Sequence, residues 1–286
     1  MISIITAVYN QLDMNKLFWE YLRKYTANPF ELIIIDNGSN DGSREFFESQ
    51  ACAGHDVTVI ANDGNYSYPH CQNRGIAAAK HDVLVFFNND LLVSPNWDTR
   101  MLEVLGKDGR EVLSFSSNDR LHDIRETSMI RRRWKLVKKP LIFLFGTRLF
   151  SLKLMLRLMY RDWEKHCDEI FKRHGFSFTV GFSGAAIAAT RKAVEKLSMW
   201  DRTQQAADWN LFFASCDRAE KHGDISPMST VDGIFMHHYS RLTFACEKWP
   251  PFKDADNLRE CGCDWTPERT KHWTRLIKTF GKPDGF

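Results

Sequence analysis

Short apolar runs recur about every 25–30 residues through the first 116 residues of this chain, and helix-like segments separate them. The runs are Ile2–Val8, Glu31–Asp36, Asp56–Ala61, Asp82–Phe87 and Glu111–Phe115. The segments lie near Asp13–Thr26, Asp41–Ser49, Tyr68–Lys80 and Pro95–Leu105. Strands alternating with helices at this spacing read as βαβ units. Leu32-Ile33-Ile34-Ile35 and Val83-Leu84-Val85-Phe86-Phe87 are apolar at every position. Such runs suit a parallel sheet covered on both faces. No run reaches the roughly 18 apolar residues of a spanning helix.

Ligands of open parallel sheets bind beyond the carboxyl ends of the strands, so the residues after each run carry information. The first run ends in Ala7-Val8-Tyr9-Asn10, and the second in Asp36-Asn37-Gly38-Ser39-Asn40-Asp41. The fourth ends in Asn88-Asn89-Asp90. Three polar clusters are thus expected on one edge.

Residues 118–165 break the alternation. From Thr127 to Arg161 there is no Asp or Glu, and ten residues are Lys or Arg. Removing those ten from the 39 basic residues leaves the remaining chain, with its 36 acidic residues, net negative. Arg131–Lys139 interleaves cations with Trp134, Leu136 and Val137; Leu141–Phe145 is apolar; Arg148–Arg161 reads as a helix with a basic stripe. A second α/β portion follows from Phe176 to Tyr239, then an aromatic, charged tail over 240–286.

Several chemistries find no support. Neither a G-x-G-x-x-G fingerprint nor a Walker A loop follows the first run. Gly181-Phe182-Ser183-Gly184 is not a nucleophile elbow. Cys261-Gly262-Cys263 with His272 is poor zinc spacing. Seven scattered cysteines fit a reducing compartment, and the first residues lack the basic start of a signal peptide. A cytoplasmic location is therefore expected.

The candidate residues each carry two readings. Asp36 either caps the Asn37-Gly38 bend or accepts the imide N–H of a uracil or thymine base. Asp90 either starts a solvated loop or holds a divalent cation, with a neighbouring Asn on a ribose hydroxyl. His237 and His238 either pack or ligate. Asp208 either caps a helix starting at Trp209 or acts as a general base, its pKa raised by burial.

Taken together, these segments resemble the family-2 glycosyltransferases of GT-A fold. Ile2–Asn10 and Glu31–Ser43 look like that family's opening, and Asn62–Lys80 like the segment before its metal motif. Asp82–Asp90 resembles its D-x-D-type strand, and Gly184–Asp201 its acceptor-side half. Asp208–Leu211 and His237–Ser240 sit where its acidic and histidine motifs fall. The branch most resembled comprises rhamnosyl- and galactofuranosyl-type transferases of bacterial surface polysaccharides.

The resemblance implies a Rossmann-type, mostly parallel α/β sheet flanked by helices. It divides the chain into a nucleotide-sugar-binding half (1–117), a basic amphipathic helical insert (118–175), an acceptor-side half (176–240) and a C-terminal extension (241–286). It implies an inverting, metal-dependent transfer from a UDP- or dTDP-sugar to a hydroxyl of a cell-surface glycan or lipid-linked acceptor. Asp208 would be the base. Ala7, Tyr9, Asp36, Arg74, Asn88 and Asn89 would bind the donor. Asp90 with His237, ahead of His238, would hold Mn²⁺ or Mg²⁺. Only the last acid of the D-x-D motif is present, and Ala207 replaces the family's Glu before the base.

The insert is expected to meet an anionic membrane through its cations, with Trp134 and Leu141–Phe145 dipping into the interface, on the inner face of the plasma membrane. Two other classes stay open on sequence. One is a nucleotidyltransferase acting on sugar phosphates, although Ala7–Gln11 lacks the glycine and cation its loop needs. The other is a nucleic-acid binder using Arg131–Lys139, which leaves the strand-end clusters unexplained; no nucleic-acid partner is expected.

Overall fold

The computed structural model describes residues 1–198, 200–201, 207–240, 242, 251–255 and 267–280. Cys261, Cys263, Trp249 and Trp265 lie outside the described residues. The fold is mixed α/β, a central sheet flanked by helices. In chain order the elements begin β1 (Ile2–Val8), α1 (Leu12–Tyr25), β2 (Phe30–Asp36), α2 (Ser43–Cys52), β3 (Val57–Ala61), α3 (Tyr68–Ala78) and β4 (Val83–Phe87). They continue with β5 (Leu91–Leu92), α4 (Trp97–Leu102), β6 (Val112–Ser117), α5 (Ile124–Phe145), α6 (Leu149–Tyr160) and α7 (Trp163–His174). The last are β7 (Phe178–Val180), β8 (Ala186–Thr190), α8 (Arg191–Lys196), α9 (Ala207–His222), β9 (Ser229–His238) and α10 (Pro267–Phe280).

The strand order is β3-β2-β1-β4-β8-β6-β9-β5, with β7 also on β9. The β1–β2, β1–β4 and β2–β3 pairs are parallel, as the apolar runs predict. The second half is mixed. β8 runs antiparallel between β4 and β6, while β6 and β9 are parallel to each other. Consequently β1, β2, β3, β4, β6 and β9 all point the same way, and their carboxyl ends share one edge.

The alternation along these strands fills two cores. Leu32 and Ile34 of β2 join Phe18 and Leu22 of α1 on one face; Ile33 and Ile35 join Cys71 of α3 on the other. All four β2 residues are fully buried, which is why the run has no polar gap. Helix α3 approaches β1 closely at Gly75, where an added Cβ would overlap Ile5 Cγ2. Gly75→Ala is therefore expected to lower stability by about 1–3 kcal/mol, read as an earlier midpoint in urea unfolding.

The basic segment folds into α5, α6 and α7. Asp123 caps α5, accepting from the Arg125 and Glu126 N–H groups. The helix continues through Pro140 and ends at Gly146, whose φ is 65°. Trp134 and Leu141, expected at a membrane interface, are instead buried. Trp134 packs edge-on against His237 and Tyr239 at the end of β9. That contact ties the insert to the sheet.

Candidate active site

Strand register builds the centre of the site. β5 pairs antiparallel with the end of β9, setting Leu91 opposite His238 and Leu92 opposite His237. The Tyr239 N–H donates to the Asp90 carbonyl at 2.8 Å. Asp90 is thereby delivered beside His238: its Oδ1 lies 3.1 Å from His238 Nε2. That contact is an ion pair without hydrogen-bond geometry, and the buried Oδ1 has no hydrogen-bond partner. On the other side of the ring, His238 Nδ1 lies 2.5 Å from Asp119 Oδ2. Asn118 clamps the same residue, accepting from the His238 N–H and donating to its carbonyl.

Burial alone would lower the His238 pKa, but the charge of Asp90 and the hydrogen bond to Asp119 outweigh it and push the pKa up to about 10. Burial likewise works against an ionised Asp119, and the His238 hydrogen bond overcomes it, holding the carboxyl below its usual range.

His237 faces the other way, because successive strand residues alternate. It is fully buried among Trp134, Tyr160 and Tyr239. Its Nδ1 is 2.8 Å from the Tyr160 hydroxyl. Burial, with the charge of His238, pushes its pKa down to about 3. The expected order of the two histidines is reversed: the one beside Asp90 is His238, and His237 belongs to the packing of the insert.

Next to this cluster lies a cleft of about 380 Å³ lined by Asn88, Asp119, Arg120, Arg131, Asp208 and His238, with Tyr68, Phe182 and Ser183–Ala185. Asp208 enters it from the first turn of α9 and accepts the Trp209 N–H at 3.0 Å. Burial pushes its carboxyl up to about 6, opposed only by nearby backbone N–H groups. The buried Tyr68 hydroxyl has no hydrogen-bond partner. Gly184 makes room for the carboxylate: an added Cβ would overlap Asp208 Oδ2. Gly184→Ala is expected to swing that carboxylate aside and cut turnover at least tenfold. The melting temperature should hold, because only the end of a side chain must move; a matching collapse of stability would refute this.

The remaining candidates lie along the same edge. Asn89 donates to Asn15 Oδ1 at 2.8 Å, and Asn15 in turn donates to the Asn10 carbonyl and Ser43 Oγ. Asp36 is fully buried and bound by Arg44, at 2.9 Å from Nε and 2.7 Å from Nη2. It also accepts the Gly38 and Ser39 N–H groups at 3.3 Å, so the capping reading describes its geometry. Arg74 bonds Asn62 Oδ1, and Asn62 donates to Asn37 Oδ1 at 2.6 Å. Ala7 and Tyr9 are half-buried at the end of β1. Asp36 stands two strands from β4, about 10 Å away at the usual strand spacing. The structure thus joins Asn88, Asp90, His238 and Asp208 at one end of the edge and sets Asp36 and Arg74 at the other.

Asp119, Arg120, Arg44 and Tyr68 were not anticipated. Asp119 and Arg120 follow β6 just as Asn88–Asp90 follow β4, so the strand-end rule could have found them. The pairing of Asp36 with Arg44 left no signal in sequence.

The donor set suits a divalent cation that displaces the His238 Nε2 proton: a buried carboxylate oxygen without a hydrogen bond, beside an imidazole nitrogen whose partner nitrogen is fixed by a second carboxylate. No group of three or more His, Cys, Asp or Glu among the described residues converges as a complete metal cage. Further ligands would have to come from a substrate.

The sequence profile of glycosyl transferase family 2 matches residues 3–180. The putative glycosyltransferase EpsH of Bacillus subtilis is 30% identical over 105 residues, 37% of this chain and 30% of that protein. An undecaprenyl-phosphate 4-deoxy-4-formamido-L-arabinose transferase of Aeromonas hydrophila is 26% identical over 163 residues, 56% of this chain and 44% of that one. The chain therefore spans less than half the length of these curated relatives. Among solved structures, GalNAc-T7 with UDP, GalNAc and Mn²⁺ superposes with a TM-score of 0.56 at 12% identity, covering 97% of this chain and 48% of that one. At that identity the likeness concerns the fold.

Proposed function

The chain belongs to glycosyl transferase family 2, and from that premise we propose that it moves a sugar from a nucleoside-diphosphate sugar to an acceptor hydroxyl with inversion at the anomeric carbon. One observation carries the reading: Asp208, its carboxyl pushed up to about 6, shares a cleft with Asn88 and His238, and His238 touches Asp90. A base and an anion-handling centre thus face the same space.

Asp208 takes the proton of the acceptor hydroxyl. The freed oxygen attacks the anomeric carbon while the bond to the diphosphate breaks, and the diphosphate leaves with that electron pair. Asp119 is committed to His238, so among the described residues no second carboxylate in the cleft is placed as a nucleophile. Asp90 and His238 would hold Mn²⁺ or Mg²⁺, which when bound supplies positive charge against the departing diphosphate. Arg120 and Arg131 add positive charge to the cleft wall.

Asp36 would read the imide N–H of uracil or thymine, with Arg44 yielding or sharing the carboxylate. Ala7, Tyr9 and Arg74 would line the base site, and Asn88 or Asn89 would meet the ribose. The Aeromonas relative, named for an undecaprenyl-phosphate transfer, supports a lipid-linked acceptor. The reaction is then expected at the cytoplasmic face of a membrane.

A thermal-shift panel of UDP-, dTDP- and GDP-sugars with and without Mn²⁺ tests the reading. A UDP- or dTDP-sugar at a hundredfold over its Kd in Mn²⁺ should add about 2.7 kcal/mol of stability, and the same concentration should add less without metal. No response to any nucleotide sugar would refute the proposal.

A further inference from the structure

Helix α5 carries large apolar residues on its outward side. Met129, Arg132, Leu136, Lys139 and Phe143 recur at steps of three and four and so share one face. Met129 is 63% exposed, Leu136 76% and Phe143 88%; Arg132 and Lys139 between them are exposed too. At the turn into α6, Leu144, Phe145 and Phe150 continue the patch. Phe145 and Phe150 pair edge to face, 5.2 Å between centroids. Along α6, Arg157 and Leu158 are exposed, while the exposed Lys153 is paired with Glu20 of α1 at 2.7 Å.

A surface helix of a globular protein ordinarily turns its polar side outward. Here the inward sides are already filled: Trp134 and Leu141 of α5, and Leu152, Met155, Leu156 and Met159 of α6, are buried in the core. Among the described residues, Met129, Leu136 and Phe143 are therefore not needed to fill the core.

We propose that the outward face of the α5–α6 hairpin is a docking surface for an anionic lipid bilayer, with Leu136, Phe143 and Phe150 entering the headgroup region and the surrounding Lys and Arg pairing with lipid phosphates. Charge decides between occupants. The segment from Thr127 to Arg161 has ten cations and no carboxylate, so a second copy docked on the same face would set cation against cation. Anionic headgroups supply the opposite charge, and the acyl boundary accepts the apolar tips. The stripe runs from Met129 to Phe143, about 21 Å at 1.5 Å per residue, so α5 lies along the surface. No helix among the described residues is long and apolar enough to cross a membrane.

The same helix reaches the cleft, because Arg131 lines it. Seating α5 on lipid brings the cleft to the bilayer, where a lipid-linked acceptor is anchored; this benefit, though not the docking, rests on the proposed function.

The test is co-sedimentation of the full chain with phosphatidylglycerol-containing and pure phosphatidylcholine vesicles, at low and high salt, without donor or acceptor. The wild-type protein should bind the anionic vesicles at least tenfold more tightly than the neutral ones, and high salt should remove most of that preference. Leu136→Glu with Phe143→Glu, and separately Arg132→Gln with Lys139→Gln, should each weaken anionic binding at least tenfold. These side chains are exposed, so the melting temperatures should stay at the wild-type value. Absence of wild-type binding, or undiminished binding by both double variants, overturns the proposal. So does light scattering that shows a dimer abolished by the same substitutions. The UDP-sugar thermal shift of each variant is recorded alongside. Its absence in every protein would fault the donor assignment and leave the vesicle result standing.

Discussion

Asp208→Asn is expected to reduce transfer about a thousandfold while leaving donor affinity nearly unchanged. The amide matches the carboxylate in shape and cannot accept the hydroxyl proton, and general-base catalysis is worth about 10²–10⁴ in rate. The environment that makes Asp208 a useful base also determines the stability effect. Burial pushes its carboxyl up to about 6, above the ordinary value near 3.9. The folded state therefore holds this proton more tightly than the unfolded chain. Its contribution to stability is complete below about pH 4 and is lost as pH rises through about 6. At pH 8 the wild type carries an ionised, half-buried carboxylate; Asp208→Asn does not, and it should melt no lower than the wild type. In the wild type, kcat/KM should fall tenfold per pH unit below about 6. An Asp208→Asn protein that keeps a tenth of its activity, or a rate flat from pH 7 to pH 4.5, would remove Asp208 from the reaction.

Much of this architecture is legible in the sequence because burial on both faces leaves a simple trace. Val83–Phe87 and Leu32–Ile35 are unbroken apolar runs since each residue meets one of the two cores, and the parallel half of the sheet follows from them. The polar residues after β2 and β4 mark the working edge for the same reason: the strand rule is local. The choice between His237 and His238 is not local. β6 and β9 pair Phe115 with Val231 but Ser116 with Phe235, an offset of three residues. An odd offset turns every later side chain of β9 to the opposite face, and Ser116 Oγ sustains it by donating to the Asp232 and Ile234 carbonyls. Adjacent letters in the sequence carry no sign of it. The insert misleads in the same way. Trp134 reads as an interfacial anchor, yet His237 and Tyr239 at the end of β9, far along the chain, claim it. Leu136 and Phe143, which no core cluster among the described residues includes, are the residues left outside.

That strand offset makes the sharpest contrast among the site residues. Asp90→Ala and His238→Ala are each expected to abolish the Mn²⁺-dependent part of UDP-sugar stabilisation, whereas His237→Phe should preserve it. Asp90 Oδ1 and His238 Nε2 face each other at 3.1 Å with the oxygen otherwise lacking a hydrogen bond, so each supplies a donor that no neighbour replaces. Asp119→Asn should fall between, weakening metal-dependent binding about 10–100-fold, because it removes the carboxylate that fixes the His238 ring rather than a ligand. His237→Phe instead leaves the buried Tyr160 hydroxyl without its partner, which costs about 1–3 kcal/mol and appears as a lower melting temperature without metal. The two signatures separate on the metal response: ligand loss abolishes it, whatever it costs in stability by breaking the buried Asp90–His238 pair, whereas packing loss lowers the metal-free melting temperature and leaves the metal response in place. Should His237→Phe lose the Mn²⁺ response while His238→Ala keeps it, β9 would present the opposite histidine to Asp90, and the site as drawn would be wrong.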